Sequence, residues 1–158
     1  MQGIASPEVG QEAPDFKLKG PGGQAVTLSE FRGSRNVVLV FFPLAFSPVC
    51  SHQLPSIERE IGRFEQLGAT VLGISVDSHW ANSVFAERLR LSFPLLSDFH
   101  RQASAAYGVL IPEAGTSGRA VFVVDRLGKV TYKDVSPALD LDQVPSNERV
   151  LMHLAGLA

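Results

Sequence analysis

Short apolar runs along the chain predict its strands. The run NVVLVFF at 36–42 is too short for a typical helix and rich in β-branched residues, which indicates a strand buried on both faces. ATVLGISV at 69–76 has the same character, and FPLLSD predicts a shorter strand. AVFVVD at 120–125 and KVTYKD at 129–134 predict two more, joined by RLG as a tight hairpin.

Apolar residues at spacings of three and four predict amphipathic helices between these strands. The stripes are Leu54, Ile57, Ile61 and Phe64, then Ala81, Val84, Phe85 and Leu89, and finally Val150, Leu151, Leu154 and Leu157. We expect Gly68 to end the first helix, and QASAAYGV indicates a short additional one.

The order of these elements predicts the fold class. DFKLKG and AVTLSE flank the turn-rich GPGGQ, which indicates an N-terminal β-hairpin. Strand, helix, strand and helix, followed by a hairpin and a last helix, predict an α/β fold with a central mixed β-sheet flanked by helices. That order is compatible with a thioredoxin-like fold. Because no repeat or low-complexity tract interrupts the chain, we expect a single domain over residues 1–158.

Composition and charge narrow the class of protein. The 158 residues include 45% hydrophobic and 19% charged residues, with a formal net charge of −2, which argues against nucleic-acid or polybasic membrane partners. No apolar run approaches the roughly 20 residues that cross a bilayer. The start of the sequence lacks the pattern of a secretory signal, so we expect a cytoplasmic protein. The four histidines show no metal-ligand spacing, and we expect neither a metal nor another cofactor.

The only cysteine, Cys50, lies at the predicted start of a helix. With Ser47 as N-cap and Pro48 as the first helical residue, Cys50 is the third helical residue. Its sulfur is then close to unpaired backbone N–H groups and to the positive end of the helix dipole, which favours the thiolate. A single cysteine also excludes an internal disulfide and a CxxC redox pair within this sequence.

Two other interpretations of Cys50 stay open at this point. A lone cysteine is often a small buried hydrophobe without reactivity. A cysteine hydrolase would need a histidine base. His52 is only two residues further along the helix and does not face Cys50, so the base would be His79 or His100.

The stretch VFFPLAFSPVC resembles the active-site motif of the peroxiredoxins, with Pro43, Ser47 and Cys50 at the motif positions. The resemblance continues through VGQEAPDFKL, VTLSEFRG, VLGISVDS, FPLLSD and YGV to GTSGRAVFVVD, which contains Arg119. The chain is most similar to the bacterial one-cysteine alkyl hydroperoxide reductase E type. In the related bacterioferritin comigratory group, a resolving cysteine often occupies the position of Pro55.

The resemblance implies a thiol-dependent peroxidase. Cys50 would attack a hydroperoxide and become sulfenic acid, with Pro43 shielding the thiolate, Ser47 binding the peroxide and Arg119 stabilising the charge. An external thiol, either of low molecular weight or on a thioredoxin- or glutaredoxin-like protein, would reduce the sulfenic acid. A homodimer is also implied. Gln53 replaces the usual glutamate of relatives, so any contact there lacks a charge. The alternative is a non-catalytic thioredoxin-fold binding or chaperone module.

Overall fold

The computed structural model describes residues 6–136 and 144–157. The strands are β1 Lys17–Lys19, β2 Ala25–Thr27, β3 Asn36–Phe41, β4 Ala69–Ser75, β5 Leu95–Ser97, β6 Leu110–Ile111, β7 Thr116–Ser117, β8 Ala120–Val124 and β9 Val130–Val135. The α-helices are α1 Pro48–Arg59, α2 Ile61–Gln66, α3 His79–Leu89, α4 Gln102–Ala106 and α5 Asn147–Leu157. Short 3₁₀ helices span Pro21–Gly23 and Leu28–Phe31.

Seven strands form one mixed sheet in the order β2-β1-β5-β4-β3-β8-β9. β3, β4 and β5 are parallel, and the remaining neighbours pair antiparallel. The predicted N-terminal hairpin is present, and it joins the central sheet where Lys19 pairs with Ser97. The predicted β8–β9 hairpin also forms. The predicted α/β architecture with a central mixed sheet is therefore confirmed.

The sheet separates two hydrophobic clusters, because successive side chains of a strand point to opposite faces. On the aromatic face, Leu39, Phe41 and Phe122 pack with Tyr107, which follows α4. On the cysteine face, alternate residues of the same strands pack against α1, α2, α3 and α5, and Cys50 belongs to this cluster. The buried members of both clusters are at most 9% exposed. Helices thus cover both faces, as predicted.

The first predicted helix is two helices, so its expected continuity to Gly68 is wrong. Glu60 leaves the helical conformation at φ −105° and ψ 6° and separates α1 from α2. α2 packs against β4, and Phe64 belongs to the same hydrophobic cluster as Ala69 and Val71. The apolar stripe predicted which residues of the two helices are buried or partly buried, but it did not indicate the break at Glu60.

The buried face of α3 also differs from the predicted stripe. Val84 is 46% exposed, whereas Asn82 is fully buried. The Asn82 side-chain amide donates to the Leu96 carbonyl at 3.3 Å, and its oxygen lies 3.1 Å from the Ser75 hydroxyl. A polar residue is stable there because its hydrogen bonds are made within the protein. Hydrophobic spacing alone does not reveal such a position.

The remaining helices agree with their predictions in outline. α4 falls within QASAAYGV, and α5 buries Val150, Leu151 and Leu154 but leaves Leu157 39% exposed at its end. The longest described helix, α1, has 12 residues. Across residues 6–136 and 144–157, no helix combines the length and apolarity that a bilayer crossing requires.

Candidate active site

The loop between β3 and α1, together with the first turn of α1, carries three of the four predicted site residues. Pro43 is buried just beyond the end of β3. Ser47 has the extended backbone of an N-cap, Pro48 is the first helical residue, and the Ser47 carbonyl accepts a 2.9 Å hydrogen bond from the Ser51 N–H. The predicted helix start is therefore present. Cys50 lies in the first turn of α1, as expected.

The Ser47 side chain does not act as an ordinary helix cap. Serine at an N-cap usually accepts a hydrogen bond from the N–H of the second or third helical residue. Here the Ser47 hydroxyl makes no cap hydrogen bond, and its oxygen is buried without a partner in the structure. A buried hydroxyl without a partner costs free energy, so it is a candidate for contact with a ligand.

Cys50 and Arg119 meet in the interior of the protein. Cys50 is fully buried and Arg119 is 2% exposed. The Arg119 Nη1 donates to the Cys50 Sγ at 3.2 Å and to the Gln53 Oε1 at 2.8 Å. Nη1 carries two hydrogens, so one can point to each acceptor. A guanidinium is always charged, and its contact with the sulfur stabilises negative charge there.

Gln53 fixes the guanidinium without neutralising it. Its side chain is 4% exposed and supplies a neutral carbonyl oxygen to Arg119. Within the described residues, no carboxylate hydrogen-bonds or pairs with the Arg119 side chain. The Arg119 Nε is buried without a partner. The Cys50 sulfur is therefore the group in contact with Arg119 that can carry a counter-charge.

The strand pairing of β8 explains how Arg119 reaches a cysteine 69 positions away in sequence. β8 pairs antiparallel with β3, whose carboxyl end leads into the cysteine loop. Val121 and Val123 belong to the cysteine face, and Arg119 continues their period-2 alternation just before the strand. The backbone of Arg119 is fixed by a 2.9 Å hydrogen bond from the Ser136 N–H to its carbonyl.

The short β6–β7 hairpin, which the sequence did not predict, supports the segment before Arg119. The Gly118 N–H donates to the Val109 carbonyl at 2.8 Å. The Ser117 hydroxyl is buried and donates to the Phe42 carbonyl at 3.2 Å, which connects the hairpin to the residue after β3, where the loop towards Cys50 begins. Each strand of this hairpin has only two residues, which is too short for a periodic pattern of apolar residues. No sequence pattern therefore indicated it.

The histidines make contacts away from the sulfur. The His79 ring contacts the Trp80 ring in a tilted arrangement at a centroid distance of 4.4 Å, and the His100 and Phe99 rings meet edge to face at 5.5 Å. His153 contacts the Thr131 hydroxyl at 2.8 Å. In the described part of the chain, the side-chain hydrogen bond to Cys50 comes from Arg119 and none comes from an imidazole. The geometry therefore gives no support to a cysteine hydrolase.

Comparison with known proteins identifies the family. The model of the AhpC/TSA family matches residues 9–133. The chain belongs to the AhpC/TSA family. It is 42% identical to the alkyl hydroperoxide reductase E of Mycobacterium tuberculosis over 129 residues, which cover 80% of this chain and 84% of the relative. It is 32% identical to a chloroplastic 2-Cys peroxiredoxin of Hordeum vulgare over 140 residues, or 82% of this chain and 67% of the relative.

Solved structures of the family share the fold. The peroxidoxin BcpB of Mycobacterium tuberculosis superposes with a TM-score of 0.85 at 28% identity, over 96% of this chain and 99% of that one. Reduced 2-Cys peroxiredoxin of Plasmodium vivax gives a TM-score of 0.85 at 28% identity, over 94% and 81%. The thioredoxin-like fold is confirmed. The chain is a peroxiredoxin, a thiol-dependent peroxidase, and its single cysteine fits the one-cysteine mechanism.

Proposed function

We propose that the chain reduces hydrogen peroxide and organic hydroperoxides at Cys50 and is then recycled by an external thiol. The observation that carries this proposal is the buried 3.2 Å contact between the Arg119 guanidinium and the Cys50 sulfur. A relative at 42% identity is named alkyl hydroperoxide reductase E, which supports organic hydroperoxides among the substrates. The alternative of an inert binding module does not explain why a charged guanidinium is buried against the thiol.

The first half of the cycle forms an S–O bond and breaks an O–O bond. The Cys50 thiolate attacks the terminal oxygen of the hydroperoxide, and the other oxygen leaves with the electron pair of the O–O bond. That oxygen takes up a proton and departs as water or an alcohol. Sulfur is oxidised to sulfenic acid and the peroxide is reduced.

Donors aimed at the separating oxygens supply most of the acceleration in this proposal. A thiol with an ordinary pKa of about 8.5 is roughly 3% ionised at pH 7, so complete ionisation gains only about 30-fold. Larger acceleration requires donors placed where charge develops in the transition state. Arg119 and the Ser47 hydroxyl are the candidates, because each has a buried polar group without a partner in the structure.

Pro43 and Gln53 have supporting roles in the proposal. Pro43 is buried in the loop that leads to Cys50, and its apolar ring helps to keep water from the thiolate. Gln53 contacts Arg119 and orients the guanidinium. Its neutral amide leaves the positive charge of Arg119 available to the sulfur and to the peroxide.

The second half of the cycle uses two external thiols. The first attacks the sulfenic acid, releases water and leaves a mixed disulfide on Cys50. The second attacks that disulfide and returns the Cys50 thiolate. The sequence contains no second cysteine that could replace the first thiol. Either a low-molecular-weight thiol or a thioredoxin- or glutaredoxin-like protein fits this chemistry.

The proposal also includes a homodimer in the cytoplasm. Trp80 is 76% exposed, and Phe46, in the loop between β3 and α1, is 49% exposed, so apolar surface is available for a subunit contact. Sedimentation velocity of the wild type and of Trp80→Ala would test the dimer. Cell fractionation would test the location.

A stopped-flow experiment tests the function directly. Reduced protein is mixed with hydrogen peroxide, and mass spectrometry follows the addition of one oxygen atom at Cys50. We expect a rate at least about 100-fold above that of free cysteine at the same pH, because both thiolate formation and the oxygen donors contribute. A second thiol added afterwards should replace the oxygen with a thiol adduct. Cys50→Ser is the control, and a wild-type rate no greater than that of free cysteine would contradict the proposal.

A further inference from the structure

Phe46, which directly precedes Ser47, has an unusual backbone conformation. Its φ is 67°, in the left-handed region that bulky residues rarely adopt. The other described non-glycine residues with positive φ, Arg90 and Arg101, lie at helix ends. A conformation of this kind persists only where the surroundings hold it, and such positions cluster at functional sites.

An aromatic contact holds the Phe46 side chain. Its ring lies 4.9 Å from the ring of Phe85, centroid to centroid, and the Arg88 guanidinium carbon lies 5.8 Å from the Phe46 ring centroid. Phe85 is 1% exposed and belongs to the cysteine-face cluster, so it is a fixed support. Both supporting residues are on α3.

A hydrogen bond to Asp77 holds the preceding residue. The Ala45 N–H donates to the Asp77 Oδ2 at 2.8 Å, and the Ser75 hydroxyl donates to the same oxygen at 2.8 Å. The Ser97 hydroxyl donates to the Asp77 carbonyl at 2.6 Å. The carboxylate and the backbone of Asp77 are thus both fixed from neighbouring strands. Asp77 and α3 therefore contact two successive residues, Ala45 and Phe46, of the loop between β3 and α1.

We propose that Asp77 and Phe46 are positioning residues for the peroxidase reaction, which hold the loop so that the Ser47 hydroxyl stays available to the peroxide. The inference rests on the proposed function. A relaxed Ser47 would act as an ordinary N-cap and accept from the N–H of the second or third helical residue, and the third is Cys50. That hydrogen bond would fix the direction of the hydroxyl and occupy the Cys50 N–H. In this proposal, the contacts of Asp77 with Ala45 and of Phe85 with Phe46 keep the Ser47 side chain out of that arrangement.

Two reactions of the same sulfur separate positioning from general stability. Alkylation by iodoacetamide requires the thiolate but not the groups that donate hydrogen bonds to the peroxide oxygens. Peroxide reduction requires both. For Asp77→Ala and for Phe46→Ala we expect the ratio of the peroxide rate to the alkylation rate to fall at least about 10-fold. Asp77→Asn keeps an acceptor oxygen and Phe46→Tyr keeps the ring, so both should retain most of the wild-type ratio.

Asp125→Ala is the matched control. The Asp125 Oδ1 also accepts backbone N–H groups, from Leu127 and Lys129, but it does so in the β8–β9 hairpin. We expect this variant to lower the thermal midpoint and to leave the rate ratio unchanged. Phe46→Ala removes a half-exposed ring and no buried polar group, so it tests the proposal even if Asp77→Ala does not fold.

The outcomes are distinct. An unchanged ratio in Phe46→Ala and Asp77→Ala, or a parallel fall of both rates as in a destabilised protein, would overturn the positioning role. A wild-type protein that reacts with peroxide no faster than free cysteine would instead overturn the proposed function. A ratio of peroxide rate to alkylation rate that is lowered in the two alanine variants, and close to wild type in Phe46→Tyr and Asp77→Asn, would support the inference.

Discussion

Two large polar side chains are buried on opposite faces of the sheet, and their surroundings differ. Tyr107 on the aromatic face is fully buried, and its hydroxyl donates to the Pro14 carbonyl at 2.7 Å. Its ring packs at centroid distances of 5.4 Å from Phe41 and 5.1 Å from Phe122. Arg119 on the cysteine face binds a sulfur and an amide through one nitrogen, while its Nε has no partner in the structure.

In the proposed function, the difference separates a structural role of one buried polar group, Tyr107, from a chemical role of the other, Arg119. Burial raises the pKa of Tyr107, and its one hydrogen bond satisfies the neutral hydroxyl at every ordinary pH. Arg119 instead leaves part of its donor capacity unused in the interior, because its Nε has no hydrogen-bond partner in the structure. An unsatisfied charged donor is costly in a fold but effective where a reaction creates negative charge. The comparison predicts that substitutions at Arg119 change rates and that substitutions at Tyr107 change stability.

The largest effect is expected at Arg119. Arg119→Ala should slow peroxide reduction by about 100- to 1,000-fold, because loss of one charge-stabilising donor costs that much in comparable sites. Loss of thiolate alone explains at most about 30-fold near pH 7. Stopped-flow rates with hydrogen peroxide, set against iodoacetamide rates for the same protein, measure the two contributions.

Arg119→Lys is the control for charge. It keeps the positive charge but not the planar set of donors, so it should restore alkylation more than peroxide reduction. If the peroxide rate of Arg119→Ala simply follows the alkylation rate, the guanidinium acts on the thiolate alone. Arg119 would then have no role in stabilising the transition state, and the contrast with Tyr107 would not hold.

Ser47→Ala should lower the rate of peroxide reduction while leaving the free energy of unfolding nearly unchanged. Alanine at an N-cap usually costs about 1 kcal/mol of stability. The Ser47 hydroxyl makes no cap hydrogen bond, so we expect the free energy of unfolding to change by less than about 0.5 kcal/mol. The peroxide rate should fall about 10-fold, because a donor to the substrate is lost. Urea denaturation and stopped-flow measurements provide both values, and Ser47→Thr, which keeps the hydroxyl, is the control.

Local features of the site were predictable from sequence. Ser47, Pro48 and Cys50 lie within four positions of one another, so helix-capping rules place the cysteine in the first turn of α1. The buried strand before them follows from its β-branched run. The helix break at Glu60 and the buried Asn82 were not predictable, since both depend on which strand the helix meets.

The contact on which the proposed function rests could not be predicted from local rules. Cys50 and Arg119 are 69 positions apart, and no periodicity brings them together. The family resemblance indicated Arg119 as a partner, and its place just before the buried run AVFVV agreed with that, while the pairing of β3 with β8 provides the physical reason. The hydrogen bond from the Ala45 N–H to Asp77 likewise joins residues 32 positions apart. Sequence patterns give each element its face, but the pairing order of the sheet decides which side chains meet.

Gln53→Glu should reduce the effect of the Arg119 charge. A carboxylate in place of the amide would pair with the guanidinium and place a second negative group near the sulfur. We expect alkylation and peroxide reduction at pH 7 to slow by roughly 3- to 10-fold, equivalent to a change on the order of 1 kcal/mol. Gln53→Met, of similar size and without charge, is the control. Faster reactions in Gln53→Glu would contradict the role assigned to the neutral amide.

The smallest effect is expected at Tyr107. Tyr107→Phe removes one hydroxyl and leaves the Pro14 carbonyl without its 2.7 Å donor, while the ring contacts with Phe41 and Phe122 remain. The free energy of unfolding should fall by about 1 kcal/mol, the usual net value of such a hydrogen bond. Because the sheet separates this side chain from Cys50, the peroxide rate should stay within about twofold of wild type. Urea denaturation and stopped-flow measurements on the same preparation test both statements. A loss of peroxide rate without a loss of stability would show that the aromatic face takes part in the chemistry, and the division between the two faces would fail.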